Sequence, residues 1–164
     1  MIKDWILVGV EVERRPAKSK WLDHVWRPTA LRLPALGLEP WTVLSDEPER
    51  SLYYAGSAEL AIHSADTKVY KDNVEAAAPS VYAVLRRAPG PIGFTLYCVT
   101  VDPTEAHAHA DVGEDLVEAL PMPKPIHVWL SRFVAQHHVE RQEYKRKRGK
   151  RTPDPVRTGK GIIQ

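Results

Sequence analysis

The segment "HAHAD" places His107, His109 and Asp111 at intervals of two. On a strand the three side chains would share a face, and two imidazoles with one carboxylate are a donor set that can hold iron(II). On a helix they diverge, leaving Glu105 beside His109 and His107 beside Asp111 at i, i+4. Alanine spacers, the preceding "DPTE" and the lack of β-branched residues favour the helix. The expectation is therefore a solvated helix face with no metal and no cofactor, His107, His109 and Asp111 being weak metal candidates only.

His137 and His138 are neighbours, and on a helix neighbours project about 100° apart, so the pair does not chelate one ion. His137 continues an apolar stripe. His138 falls near the stripe's edge, where a partner could touch it, although imidazoles also suit the negative end of a helix without any ligand.

Trp21, His24, Trp26 and Arg27 make the densest aromatic cluster in the chain. Such a set can stack bases, anchor a protein interface, or simply form a core corner with Arg27 laid over a ring. Core packing is the expectation. Of the two functional readings a protein interface is preferred, because the segment shows no surrounding basic groove for a phosphate backbone.

The remaining chemistry is thin. Cys98 has no histidine at a suggestive spacing and sits in an apolar run, so it reads as inert. No Walker loop, G-x-G-x-x-G, G-x-S-x-G or H-E-x-x-H occurs, so no catalytic residue is assigned. The run "YKRKRGKR" brings together Lys145, Arg146, Lys147, Arg148, Lys150 and Arg151, which no core can accommodate. It reads as a solubilising end, a nucleic-acid contact or an arm steered toward an acidic protein.

These groups must be carried by one fold. At 164 residues the chain suits a single core, and its 14 prolines imply short connections. One cysteine excludes an internal disulfide and any cysteine-only zinc site, which suits a reducing compartment. The first apolar run, Trp5 to Val10, is too short for a secretory core or a membrane span, so the cytoplasm is expected and no membrane partner. Residues 1–139 carry 14 basic and 18 acidic side chains, whereas 140–164 carry 9 basic and 3 acidic. The positive charge belongs to the tail.

Alternation in "WILVGVEVERR" sets Ile6, Val8, Val10 and Val12 on one face of a strand ended by Pro16. "TALRL", "WTVLSD", "SLYYAG" and "AELAIHS" read as further strands, with "DEPER" a tight turn. Asp66 is placed to cap a short helix that Pro79 stops. "SVYAVLRR" and "FTLYCVTV" form a hairpin across "APGPIG". The second run, apolar on both faces, reads as a central covered strand, with Phe94, Leu96 and Cys98 facing opposite to Tyr97, Val99 and Val101. "PTEAHAHAD" is read as a short helix and "EDLVEAL" as strand or helix. From about Pro125 to Val139, Ile126, Trp129, Leu130, Phe133, Val134 and His137 follow helical spacing, and burying Trp129, Leu130 and Phe133 would contribute about 1.5 to 3 kcal/mol each.

The expected architecture is α+β: one twisted antiparallel sheet of about six or seven strands, with a curl toward a half-barrel allowed, covered by the C-terminal amphipathic helix. Residues 1–140 form the globular domain and 141–164 a basic, flexible or partner-ordered tail.

The phrases "VGVEVERR", "WLDHVWRPTAL", "PWTVL", "YYAG…LAIH…VYKDN…PSVYAVLRR", "EALPMP" and "FVAQHHVE…YKRKR", spread over about Gly9 to Arg148, resemble a bacterial family designated domain of unknown function 3305. Its genes often lie beside those for molybdenum-dependent formate dehydrogenase and its maturation. The resemblance thus implies an accessory role and assigns no catalytic residue. Three expectations follow: a non-enzymatic protein-binding assembly factor, an RNA- or DNA-binding protein using the tail, and a metal-dependent enzyme.

Overall fold

The computed structural model describes residues 1–139. The basic candidates Lys145, Arg146, Lys147, Arg148, Lys150 and Arg151, and the expected tail 141–164, lie outside the described residues.

Strand β1 (Lys3–Pro16) puts Val8, Val10 and Val12 wholly out of solvent on one face, as its alternation requires. It is an inner strand of a four-stranded antiparallel sheet in the order β2-β1-β4-β3, with β2 (His24–Arg32), β3 (Thr42–Asp46) and β4 (Ser51–His63). A 3-10 turn (Ser64–Asp66) and helix α1 (Thr67–Val74) follow. Strands β5 (Ser80–Arg87), β6 (Phe94–Thr100) and β7 (Asp115–Pro121) then make a second antiparallel sheet, ordered β6-β5-β7, with helix α2 (Pro103–Asp111) inserted between β6 and β7. Helix α3 (Lys124–His137) completes the described chain.

The expected number of strands is present, but they form two sheets rather than one. Both edges of β5 are taken by β6 and β7, so it cannot extend the first sheet, and β6 lies alongside β4 while β7 lies alongside β2 without hydrogen-bonded pairing. No barrel closes. A single apolar core fills the space between, with Val8, Leu60 and Ile62 from one sheet, Val81, Leu85 and Val101 from the other, and Ile126, Leu130 and Phe133 from α3. Among the described residues no helix is long and apolar enough to cross a membrane.

Three local differences from the sequence reading have physical causes. "SLYYAG" and "AELAIHS" are one strand, because Gly56, at φ 138°, absorbs a bulge that skips Ala55 while pairing with β1 continues. β2 starts at His24 and runs through Pro28, which an edge strand tolerates because the missing N–H faces no partner it needs. β6 is an edge strand, not a central one. Its register jumps from Val84↔Cys98 to Leu85↔Leu96, leaving Tyr97 as the extra residue of a bulge. The bulge turns Tyr97 and Cys98 to the same, outer side of the sheet, while Leu96, Val99 and Val101 stay with the core.

Candidate functional site

The far end of β1 concentrates charge and aromatic surface. Adjacent residues of a strand face opposite ways, so Arg14 and Glu13 head two different clusters. On the Arg14 side, Trp26, Trp41 and Tyr53 form an aromatic triangle with ring centroids 5.8, 5.3 and 6.3 Å apart, and the Arg14 guanidinium lies 5.7 Å from Trp26 and 5.4 Å from Tyr53. Trp41 sits at φ 65°, a left-handed conformation that costs a bulky residue about 1–2 kcal/mol, and its N–H is held by the Tyr54 carbonyl.

On the other side, Glu13 is almost wholly covered, and Arg15, Arg27 and Arg50 approach its carboxylate at 3.1, 3.5 and 2.7 Å. Arg32 bonds Glu11 at 2.7 Å, so four guanidiniums gather on two carboxylates. Burial pushes the Glu13 carboxyl up, but hydrogen bonds from Arg50 and Arg15 and the charges of Arg15 and Arg27 together outweigh it and hold the group below its usual range. The cross-strand register, which places Arg27 opposite Glu13, gathers these arginines on the face of the sheet away from Trp26.

The sequence-derived candidates divide accordingly. Trp26 belongs to the edge of the core, and the cation over its ring is Arg14 rather than Arg27. Trp21, in the connection between β1 and β2, is 91% exposed, with Leu22 and Val25 also exposed beside it. His24 opens β2 opposite Pro16 at the same end. His138 is elsewhere: its Nδ1 is 3.0 Å from Thr67 Oγ1, and Thr67 follows the turn whose Ser64 pairs with Ile2. β1 spans roughly 45 Å between those two ends, so His138 is not part of the arginine cluster. His137 packs against Phe133 with centroids 4.6 Å apart and the rings tilted, a packing role.

A second polar cluster lies on the outer face of the three-stranded sheet, under α2. His107 and Asp111 are exposed and point away from it, so the set of His107, His109 and Asp111 does not assemble. His109 instead turns inward. Its Nε2 is 3.8 Å from Cys98 Sγ and 4.0 Å from Glu105 Oε1, and its Nδ1 is 3.3 Å from Asp115 Oδ2. Asp115 has a fully covered side chain and receives two hydrogen bonds of 3.0 Å from Arg86, whose guanidinium also lies 3.4 Å from the Tyr97 ring centroid. Tyr97 meets the His109 ring edge-on at 5.3 Å, and Thr100 donates to Glu105 Oε2 at 2.9 Å. The reading of Cys98 as lacking a histidine is thereby corrected. No spacing rule finds a partner 11 residues away, because the contact depends on the Tyr97 bulge and on Asp102 capping α2 through the N–H groups of Thr104 and Glu105.

This geometry resembles a cysteine–histidine–aspartate relay, but the sulfur is poorly suited to attack. Burial, with the charges of Glu105 and Asp115, pushes the Cys98 thiol up to about 11, so it is protonated at neutral pH. Asp115 moves the other way. The Arg86 hydrogen bonds hold it below the ordinary carboxylate range against the effect of burial.

Glu13 and Asp115 together make stability pH-dependent. Both carboxyls are depressed in the folded protein, so their contribution is complete above the unfolded value of about 4 and is lost as pH falls through their lower folded values. Denaturant titrations across the acid range should show stability declining below about pH 4 to 5. A Glu13→Gln, Asp115→Asn double variant should be less stable at neutral pH and show a flatter acid decline; a slope parallel to wild type would count against the assignment.

Neither a curated protein nor a solved structure matches the chain. A family model described as a protein of unknown function, DUF3305, matches residues 7–148, most of the sequence, and the chain belongs to that family.

Proposed function

We propose that the protein is a non-enzymatic accessory factor that docks on an acidic surface of another protein, and that this partner is a molybdenum-dependent formate dehydrogenase or one of its maturation factors. The observation that carries the docking reading is the convergence of Arg15, Arg27, Arg32 and Arg50 on two carboxylates, with exposed Val25 paired to Arg15 and exposed Trp21 and Leu22 in the β1–β2 connection at the same end of the sheet. Clustered guanidiniums complement carboxylates and set encounter rate and orientation, while an exposed indole with aliphatic neighbours supplies the desolvated anchor from which protein interfaces draw most of their affinity. The identity of the enzyme rests on the family resemblance alone.

Affinity purification of the tagged protein from cells making such an enzyme should recover an enzyme subunit or a maturation factor. Trp21→Ala should weaken that complex by about 2 kcal/mol, roughly 30-fold, with unchanged thermal stability, because the indole makes no core contact. Recovery of neither component would remove the reading.

A second reading, RNA or DNA binding, is favoured by the same arginine surplus beside a stacking-competent Trp21. It requires affinity that falls steeply with salt, and a filter-binding titration without a low-salt complex ends it.

A further inference from the structure

We propose that Cys98, Glu105 and His109 form a binding site for a zinc-like divalent transition-metal ion, with Asp115 as the group that orients the imidazole. The three donor atoms lie within 4.8 Å of one another, with Cys98 Sγ 3.8 Å and Glu105 Oε1 4.0 Å from His109 Nε2. In a tetrahedral site with metal–sulfur bonds of about 2.3 Å and metal–nitrogen or metal–oxygen bonds of about 2.0 to 2.2 Å, neighbouring donors are separated by about 3.3 to 3.7 Å. Closing the set therefore takes side-chain adjustments of about an ångström or less. Glu105 and His109 stand one helical turn apart on α2, the i, i+4 spacing that aims two side chains at one point, and the β6 bulge brings Cys98 to meet them.

What distinguishes this cluster from a chance gathering of polar residues is the shell behind it. His109 Nδ1 faces the covered Asp115 carboxylate at 3.3 Å, and the tautomer protonated there presents the lone pair of Nε2 to the sulfur and to Glu105. Metal-bound histidines are fixed in the same way, a carboxylate taking the distal N–H and setting the tautomer. Asp115 is in turn gripped by both Arg86 nitrogens, and Tyr97 bounds the imidazole edge-on. Glu105 gives one oxygen to Thr100 and leaves Oε1 toward the imidazole, so the second ligand is also oriented. His109 and Glu105 thus each have a positioning contact through the atom that would not ligate.

The donor chemistry selects the ion. One sulfur, one imidazole nitrogen and one carboxylate oxygen suit zinc and its borderline neighbours and do not suit magnesium or calcium, which take oxygen ligands. On binding, the Cys98 S–H proton leaves to solvent and the thiolate and carboxylate balance the charge of the ion. Three protein ligands leave a fourth position, and the half-exposed Glu105 side chain and exposed Tyr97 open that side to water or to a donor from a docked partner. This site is independent of the arginine cluster and stands or falls separately from the docking reading.

The test is titration of chelator-stripped, reduced full-length protein with cobalt(II), followed by zinc competition. Wild type should bind one cobalt per chain with a thiolate-to-cobalt charge-transfer band that stoichiometric zinc bleaches. Cys98→Ser should abolish the band. Glu105→Gln, at a half-exposed side chain where folding is not at risk, should weaken binding, and Asp115→Asn should weaken it by about 10- to 100-fold as a positioning change. His107→Ala and Asp111→Ala should bind as wild type does. Absence of a charge-transfer band in the wild-type protein overturns the proposal, as does cobalt binding unaffected by Glu105→Gln or lost in His107→Ala. Circular dichroism of each variant separates lost ligation from lost fold.

Discussion

Gly9→Ala is expected to destabilise the protein by about 3 kcal/mol, the sum of an overpacking cost and one or two weakened hydrogen bonds. A Cβ at position 9 would stand 2.6 Å from Tyr54 Cε2 and 2.8 Å from Cζ, with the hydroxyl oxygen nearer still. Tyr54 cannot swing aside. It is fully buried, accepts the Leu36 N–H at 3.0 Å, and shares a 2.7 Å hydrogen bond with Ser57 Oγ. The ring thus pins the connection between β2 and β3, which ends in Trp41 of the aromatic triangle. The midpoint of chemical denaturation should fall at unchanged slope, and Tyr54→Phe introduced into Gly9→Ala should recover part of the loss, since it removes the atom in closest contact. A Gly9→Ala variant within 1 kcal/mol of wild type would show that this face has more room than the contacts imply.

Much of the fold was legible because its periodicities are local. Val8, Val10 and Val12 alternate in the sequence and are buried in the structure, and Ile126, Leu130, Phe133 and Val134 follow helical spacing and form the buried side of α3. What was not legible depends on pairing. Nothing in "SVYAVLRR" states that both of its edges will be occupied, so the partition into two sheets could not be read from residue patterns. Bulges defeat the period-two rule in the same way. Tyr97 shifts the faces of β6 by one residue, and a single shift reverses which side Cys98 belongs to.

The candidate sites follow the same division. Trp21, Trp26 and Arg27 were marked by composition, and the structure places them at one end of the first sheet. Their roles differ because Trp26 and Arg27, as neighbours on a strand, face opposite ways. Arg15, Arg32 and Arg50 were missed because they reach Glu11 and Glu13 through side-chain contacts, and only the spacing of the two glutamates, two apart beyond an apolar run, hinted that something must neutralise them. The pair Glu105 and His109 was visible as an i, i+4 relation. Its meeting with Cys98 and Asp115 was not, since those residues come from two different strands.

Asn73 is expected to be the most sensitive polar residue for holding these layers together. It is nearly buried at the end of α1, its Nδ2 donates to the Ser80 and Val101 carbonyls at 2.9 and 2.8 Å, and its Oδ1 accepts the Ser80 N–H at 3.0 Å. One side chain thereby ties α1 to the start of β5 and to the exit of β6, just before the helix that carries Glu105 and His109. Asn73→Ala leaves three backbone groups without this partner and should cost about 3 to 4 kcal/mol. Asn73→Asp is the sharper test. Ionised, it keeps an acceptor for Ser80 N–H but sets a buried negative charge against two carbonyl oxygens; protonated, it can donate to one of them. The aspartate should therefore have a raised folded-state pKa, so the variant is least damaged in acid and loses further stability as pH rises from the unfolded value of about 4 through its higher folded value. At neutral pH Asn73→Asp should be less stable than Asn73→Ala, and the difference should shrink or reverse below about pH 4. Equal stabilities at both pH values would mean that water, rather than the asparagine amide, satisfies the Ser80 and Val101 carbonyls.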